Sequence, residues 1–284
     1  MTVQQALQSA AQQLATDPLL RDFARRDAET LMLHLLTLSR ASLLAHPGRE
    51  LTADQLHCYQ TFIQRRVRHE PLQYITGTQE FYGLSFRVSP AVLIPRPETE
   101  HLVEAVLERL PHDQPLDIVD IGTGSGAIAI ALATHLPHAH LTALDLSPAA
   151  LEVAQSNAAV LNVADRIRFE LSDLLSALTS QSESRLFDAI VSNPPYVSSR
   201  DAHELHPQVR EHEPATALFA GDDGLAIYRR LIPQAHAMLR EGGLLALEIG
   251  HGQSEAIRDL LAGWKNIDLL EDLQSIPRVA IAYR

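Results

Sequence analysis

Apolar residues recur at helical spacing through the first seventy positions, then settle into short apolar runs alternating with helical stretches from about position 115 onward. Ala6, Leu7, Ala10 and Leu14 fall on one helical face, as do Ala28, Leu31, Met32, Leu35 and Leu36. Thr52 with Gln55 makes a capping-box pattern ahead of Leu56, Tyr59, Ile63 and Val67, and Pro71 stops that helix. The stretch YITGTQEFYGLSFRVSP alternates aromatic and polar residues around Gly77 and Gly83, which predicts a short hairpin joining two domains. Next, LIPRPETEHLVEAVLERL puts Pro97 in a first helical turn, with Glu98 and Glu100 where negative charge suits the helix dipole.

The second half reads as strand and helix in turn. PLDIVDIG, HLTALDLS, RIRFELSD, FDAIVSN and GLLALEIG are predicted strands. AIAIALATHL, PAALEVAQSNAAVL, GLAIYRRLIPQAHAML and QSEAIRDLLAG are predicted helices, the second with Ser147 as N-cap and Pro148 at its first position. The last stretch, NIDLLEDLQSIPRVAIAYR, reads as two strands joined by a turn. This alternation implies an α/β fold, a mostly parallel sheet with helices on both faces, preceded by a small helical domain. The expected division is a helical domain over 1–75, a linker hairpin over 76–93 and an α/β domain over 94–284. Ligands of such sheets bind at the carboxyl ends of the strands, near the point where strand order reverses.

Composition narrows the function. With 284 residues, 46% hydrophobic and 20% charged, the chain can bury a sizeable core. No apolar run approaches the roughly 20 residues that span a bilayer, and the N-terminus lacks the basic start and apolar centre of a signal peptide, so a cytoplasmic protein with no membrane partner is expected. Cys58 is the only cysteine, which leaves no internal disulfide and no thiolate zinc cluster. The formal net charge is −12, but residues 1–70 carry eight Arg against seven Asp and Glu, so the acidity belongs to the remainder. An acidic α/β domain is a poor fit to a DNA polyanion, because phosphate affinity comes mainly from Lys and Arg.

The chemistry gathers at the predicted strand ends. The first strand runs into DIGTGSG, where Gly122, Gly124 and Gly126 allow a tight turn and close backbone approach to a ligand; taken alone, the loop could equally serve strand-to-helix packing. Its spacing is one residue shorter than the dinucleotide fingerprint. Asp145 closes the second strand, where a carboxylate accepts from both hydroxyls of a ribose, and Asp173 follows the third, within reach of an exocyclic amine. Either Asp alone could be a cap or a solvated loop residue; together with the loop they converge on a nucleoside site. The fourth strand leaves through VSNPPYVSS. Pro194 and Pro195 end any ladder pairing and strand carbonyl oxygens without partners, which a ligand with hydrogens to donate would satisfy, although a plain strand-ending turn would look the same.

The set DIGTGSG, ALDLS, SDL and VSNPPYV resembles the class I S-adenosylmethionine-dependent methyltransferases that modify amino groups. PLQYITGTQEFYG, LIPRPETE and VREHEPATALFAGDDGL further resemble the HemK/PrmC family of peptide chain release factor N5-glutamine methyltransferases, over nearly the whole chain. The resemblance implies that Gly122, Thr123, Gly124, Ser125 and Gly126 wrap the methionine end of S-adenosylmethionine, that Asp145 holds its ribose and that Asp173 and Leu174 border its adenine. Leu174 stands where relatives often carry a larger aromatic residue. Asn193, which also borders the cofactor, Pro194, Pro195 and Tyr196 would hold the substrate glutamine of the Gly-Gly-Gln motif in bacterial class I release factors, with the enzyme acting as a monomer.

A glutamine amide nitrogen is a weak nucleophile with two hydrogens to donate. If the Asn193 oxygen takes one and the Pro194 carbonyl the other, both bonds strengthen as positive charge grows on nitrogen, and no strong general base is needed. Tyr196 would pack its ring on the planar amide. An adenine-N6 nucleic-acid methyltransferase uses the same logic but needs a basic strand-binding surface and a way to flip its base. A nicotinamide dehydrogenase would explain the glycine loop and leave NPPY unexplained, and a non-catalytic adaptor would leave the intact site unexplained. His135, His138 and His140, and further on His203, His206 and His212, lack a metal-ligating pattern, so no metal is expected. The long segment after NPPY is expected to form part of the release-factor surface, and Arg96 and Glu98 either organise the cofactor pocket or cap the helix at Pro97.

Overall fold

The computed structural model describes residues 1–179 and 186–284, and its described residues fall into two compact units. The first comprises Met1–Gly77 with His206–His212. Its helices are α1 (Val3–Leu14), α2 (Ala24–Leu36), α3 (Arg40–Ala45), α4 (Ala53–Val67) and the single turn α5 (Leu72–Thr76). Thr2 and Thr52 each close a capping box with the glutamine three residues on, as the pattern at Thr52 predicts. Leu14, Leu20, Leu31, Met32, Tyr59 and Ile63 form the core of this unit. At its centre a buried ion pair joins Arg66 to Asp27 at 2.7 Å, and the same guanidinium donates to Gln208 at 2.9 Å.

The turn α5 replaces the start of the expected hairpin. Pro71 precedes it with φ fixed near the helical value, and Gly77, left-handed at φ 76, ends it by donating to the Gln73 carbonyl at 2.7 Å. Tyr74 and Ile75 are thereby buried, and tertiary burial overrides the alternating pattern.

The second unit comprises Thr78–Leu205 and Glu213–Arg284. It opens with the hairpin β1 (Thr78–Phe81) and β2 (Leu84–Arg87), whose Phe81 and Phe86 are buried in this unit's own core. Helix α6 (Pro97–Leu107) follows, with Pro97 in its first turn. The sheet strands are β3 (Leu116–Ile121), β4 (Ala139–Asp145), β5 (Ile167–Leu171), β6 (Phe187–Ser192), β7 (Leu239–Glu248), β8 (Lys265–Glu271) and β9 (Pro277–Tyr283). Between them lie α7 (Ala127–His135), α8 (Pro148–Val160), the short α9 (Ser176–Thr179), α10 (Pro207–His212, which belongs to the first unit), α11 (Ala226–Met238) and α12 (Ser254–Leu260).

Strand order is β5-β4-β3-β6-β7-β9-β8, with the first five parallel and β9 antiparallel to both of its neighbours. The C-terminal pair of predicted strands is therefore the hairpin that closes one edge. Order reverses at β3, because the chain runs outward through β4 and β5 and returns to place β6 on the other side of β3. Alternate residues feed two cores: Ile118 packs on one face with α6 and α7, while Val119 and Ile121 pack on the other with α11 and α12. Helix α7 is buried along Ala127–Ala133, which its alanines permit because small side chains allow close approach on every side. The reversal point puts the carboxyl ends of β3, β4 and β6 around one crevice.

Candidate functional site

A cavity of about 370 Å³ opens at that crevice. Its floor is the loop after β3. Gly122 and Thr123 both donate to the Leu144 carbonyl, at 2.8 and 2.9 Å, which hooks the loop onto the end of β4. Gly122 and Gly124 are left-handed at φ 72 and φ 55, and a Cβ on Gly122 would stand 4.0 Å from the Asn193 carbonyl oxygen, in the space between loop and turn. Thr123, Ser125, Ala127 and Ile128 also line the cavity. Gly126 does not. Its requirement is packing: a Cβ there would meet Ile130 at 2.9 Å and Ala154 at 3.2 Å, so α7 and α8 come close only because Gly126 has no side chain.

Asp145 stands at the rim with each oxygen already accepting one backbone amide, Oδ2 from Gly124 at 2.8 Å and Oδ1 from Ser147 at 2.9 Å. A carboxylate has about four acceptor positions, so acceptor capacity remains for hydroxyl donors. Burial pushes its carboxyl above the usual carboxylate range, and those amide donors oppose the shift. Below the floor Asp120 is fully buried. Its Oδ2 accepts from Thr123 Oγ1 at 2.7 Å and from the Ala129 amide at 3.2 Å, its Oδ1 has no partner among the described residues, and desolvation pushes it up to about 7.

Asp173 and Leu174 line the opposite end. Asp173 pairs with Arg230 at 2.6 Å, both half-exposed, so one of its oxygens is already engaged. Leu174 is held left-handed at φ 54, and its carbonyl accepts from Ser172 Oγ at 2.7 Å.

The turn after β6 forms the facing wall. Ser192 is the last residue in register, opposite Ile121 and Leu247, and its hydroxyl donates to the Ile121 carbonyl at 2.7 Å. Pairing then stops, as the two prolines require. Asn193, Pro194 and Pro195 line the cavity. Among the described residues nothing donates to the Pro194 carbonyl oxygen or to Asn193 Oδ1, while Asn193 Nδ2 donates to Thr99 Oγ1 at 3.0 Å. Tyr196 turns away: its hydroxyl donates to Glu248 Oε1 at 3.3 Å and its carbonyl accepts from Gln253 at 3.0 Å. Tyr196 itself is not among the residues that line the cavity.

Arg96 lines the cavity and pairs with buried Glu213 at 2.5 Å, which brings the following Pro214, Thr216 and Ala217 into the wall. The pocket-organising alternative describes Arg96; Glu98 is exposed and outside the lining. Thr99, Glu213 and Glu248 escaped the sequence reading. Glu248 carried a signal, as the single charge inside the apolar run LLALEI, whereas nothing distinguishes Glu213 among the charges of VREHEP.

Among the described residues no group of side chains is arranged to hold a metal ion, and no helix is long and apolar enough to cross a membrane. His135 packs edge-on against Tyr82 and His206 against His69.

Residues 5–77 match the family model of the PrmC N-terminal domain and residues 99–211 that of the methyltransferase small domain. The chain is 47% identical to the release factor glutamine methyltransferase of Koribacter versatilis over 99% of this chain and 98% of the relative. It is 43% identical to that of Escherichia coli K12 over 90% and 91%. Among solved structures, the hMettl16 catalytic domain covers 89% of this chain and 90% of its own at TM-score 0.56 and 18% identity. The T. thermophilus 16S rRNA methyltransferase RsmC, in complex with AdoMet and guanosine, matches at TM-score 0.54 and 22% identity over 73% of this chain and 49% of its own. These two likenesses describe the fold.

Proposed function

The chain belongs to the release factor glutamine methyltransferase family, an S-adenosylmethionine-dependent group, and we propose that its Asn193–Tyr196 turn presents the substrate glutamine to a cofactor held in the crevice beside it. The observation that carries this reading is the pair of acceptors without partners among the described residues, Asn193 Oδ1 and the Pro194 carbonyl, on the wall facing the glycine loop. The residues present suit the cofactor. A side chain on Gly122 would fill the space between loop and turn, and Asp145 keeps acceptor capacity for the hydroxyls of a ribose. Gly122, Thr123, Gly124 and Ser125 would hold the methionine end, and Asp173 and Leu174 would border the adenine.

When bound, S-adenosylmethionine supplies an electrophilic methyl group on a sulfonium centre. Asn193 Oδ1 and the Pro194 carbonyl each take one hydrogen of the substrate amide. That fixes the nitrogen with its lone pair directed into the cavity, and both acceptors bind more strongly as the nitrogen becomes positive. Two neutral oxygens therefore orient the amide and stabilise the growing charge, and because neither is a base, the proton that the methylated nitrogen gives up would pass to solvent.

In this reading the substrate is the glutamine of the Gly-Gly-Gln motif of bacterial class I release factors, methylated at N5 by a monomeric cytoplasmic enzyme. The helical unit and the segment after the NPPY turn would carry release-factor recognition. The test is methyl transfer from labelled S-adenosylmethionine to a purified release factor, followed by peptide mass mapping. A label on any residue other than that glutamine, or on nucleic acid instead, would overturn it.

A further inference from the structure

Glu248 is buried at the end of β7 beneath the NPPY turn, and nothing in the mechanism so far uses it. A buried carboxylate is expensive to desolvate unless it is paired, yet no cationic side chain among the described residues lies within ion-pair distance of Glu248. Its partners are hydroxyls. Thr99 Oγ1 donates to Oε2 at 2.6 Å and Tyr196 donates to Oε1 at 3.3 Å. The Tyr228 hydroxyl donates to the Glu248 backbone carbonyl at 2.8 Å, which holds the strand end in place. An apolar residue would suit this position better if stability were all it served.

The proton count along this chain of contacts is what matters. Thr99 has one hydroxyl hydrogen, and when Glu248 is ionised the contact between them uses it. Toward Asn193, 3.0 Å away, Thr99 is therefore left only as an acceptor. The Asn193 carboxamide must then turn its nitrogen to Thr99 and its oxygen to the cavity. Without that constraint the two orientations of a carboxamide, related by a half-turn, differ only in their hydrogen bonds. The flipped orientation would face a substrate NH₂ with another NH₂. It would remove one of the two acceptors.

We propose that Thr99 and Glu248 are positioning residues for methyl transfer: Glu248 fixes the direction of the Thr99 hydroxyl, and Thr99 in turn fixes which end of Asn193 faces the substrate, while the second Glu248 oxygen anchors Tyr196 at the far end of the same turn. The relay joins three segments, α6, the end of β7 and the NPPY turn, and rests on the reading of Asn193 as an acceptor for the substrate amide. Burial pushes the Glu248 carboxyl up to about 7, so the acceptor-only form that the relay needs prevails above that pH, where the test is run.

The experiment is single-turnover methylation of a purified release factor at saturating S-adenosylmethionine, with cofactor affinity measured separately by calorimetry. Thr99→Val keeps the shape and removes both relay contacts, and a fall of about tenfold or more is expected, the equivalent of one hydrogen bond of about 1.4 kcal/mol, with cofactor affinity unchanged. Thr99→Ser restores the hydroxyl and should restore the rate, which a packing role would not do. Glu248→Gln keeps the shape with one acceptor and one donor, and its rate should fall between wild type and Thr99→Val. If Thr99→Val matches wild type while Asn193→Ala is strongly impaired, the relay is overturned and the acceptor reading stands. If Thr99→Ser is as slow as Thr99→Val, the relay is likewise overturned. If Asn193→Ala is itself near normal, the acceptor reading fails and the relay fails with it.

Discussion

The guanidinium of Arg96 lies 2.5 Å from the carboxylate of Glu213, whose side chain has no solvent exposure, and the second Glu213 oxygen accepts from the Ile94 amide at 3.3 Å. One ion pair thus fastens the residues leading into α6 to the segment that returns to the cavity wall at Pro214. Arg96→Ala leaves a buried carboxylate with, among the described residues, a weak amide partner alone. Since Arg96 is partly exposed, the loss should be nearer 2 kcal/mol than the roughly 3–5 kcal/mol of a fully buried pair. S-adenosylmethionine affinity should fall with it. Thermal melts and calorimetry check both, and an unchanged cofactor affinity would separate this wall from the cofactor site.

Asn193→Ala deletes one amide acceptor while both prolines keep the bend. We expect kcat to fall by about 10²–10³-fold, the usual effect of losing one preorganised electrostatic contact, with S-adenosylmethionine still bound. Asn193→Asp keeps an acceptor but cannot donate to Thr99, so it should lie between wild type and Ala. Single-turnover rates corrected for folded enzyme make the comparison, and a near-normal rate for the Ala variant would reduce NPPY to a turn.

Asp145 accepts the amides of Gly124 and Ser147 and, in the proposed function, would also hold the cofactor's ribose. Asp145→Ala should weaken S-adenosylmethionine binding by at least on the order of 1.5–3 kcal/mol. Asp145→Asn, which keeps an oxygen for one amide, should lose less. Unaltered affinity in a folded Ala variant would move the nucleoside site elsewhere.

Acidification should slow the enzyme through Glu248. Above about 7 its carboxylate accepts from both Thr99 and Tyr196. Below, it carries a proton and must donate at one oxygen, which reverses a hydroxyl. Thr99 and Glu98 from α6, Tyr196 from the turn, Tyr228 from α11 and Arg278 from β9 set its charge environment. Stability should move the other way. A carboxyl raised from 4.5 to about 7 in the folded state binds more protons there than in the unfolded chain, so its contribution to stability declines as pH rises through that window. Asp120, also near 7, acts in the same direction. In Glu248→Gln the acid limb of kcat should vanish and the pH slope of Tm should lessen without disappearing. An acid limb that survives in the variant assigns it to another group.

Gly224→Ala should damage the site from outside it. A Cβ at Gly224 would stand 2.3 Å from the Tyr196 carbonyl oxygen, and φ is +73. The turn must shift to admit it, so kcat should fall while the cofactor, bound to the far wall, retains its affinity. Equal rates for the variant and wild type would mean that the turn tolerates displacement.

Local chemistry along the chain determined the elements of this protein. The change from helical spacing to strand and helix in turn, the capping pairs at Thr52 and Ser147, Pro97 in the first turn of α6 and the stop at Pro194 each depend on neighbours within a few residues, and the structure has all of them. The glycine loop and Asp145 were legible for a similar reason, because topology carries consecutive strand ends to one crevice. Contacts between distant segments came from the packed fold alone. Thr99 meets Asn193 across 94 positions and Glu248 across 149, and both meetings follow from β6 lying beside β7 with α6 packed against β7. Tyr196 turned from the cavity for the same reason, since the buried carboxylate that draws its hydroxyl arrives from another strand. The packing demand that α7 and α8 place on Gly126 was likewise invisible, and α5 formed where alternation predicted strand. Periodicity fixes which face of an element is buried; which side chain waits on the other side is set by strand order, and a single sequence carries no local mark of it.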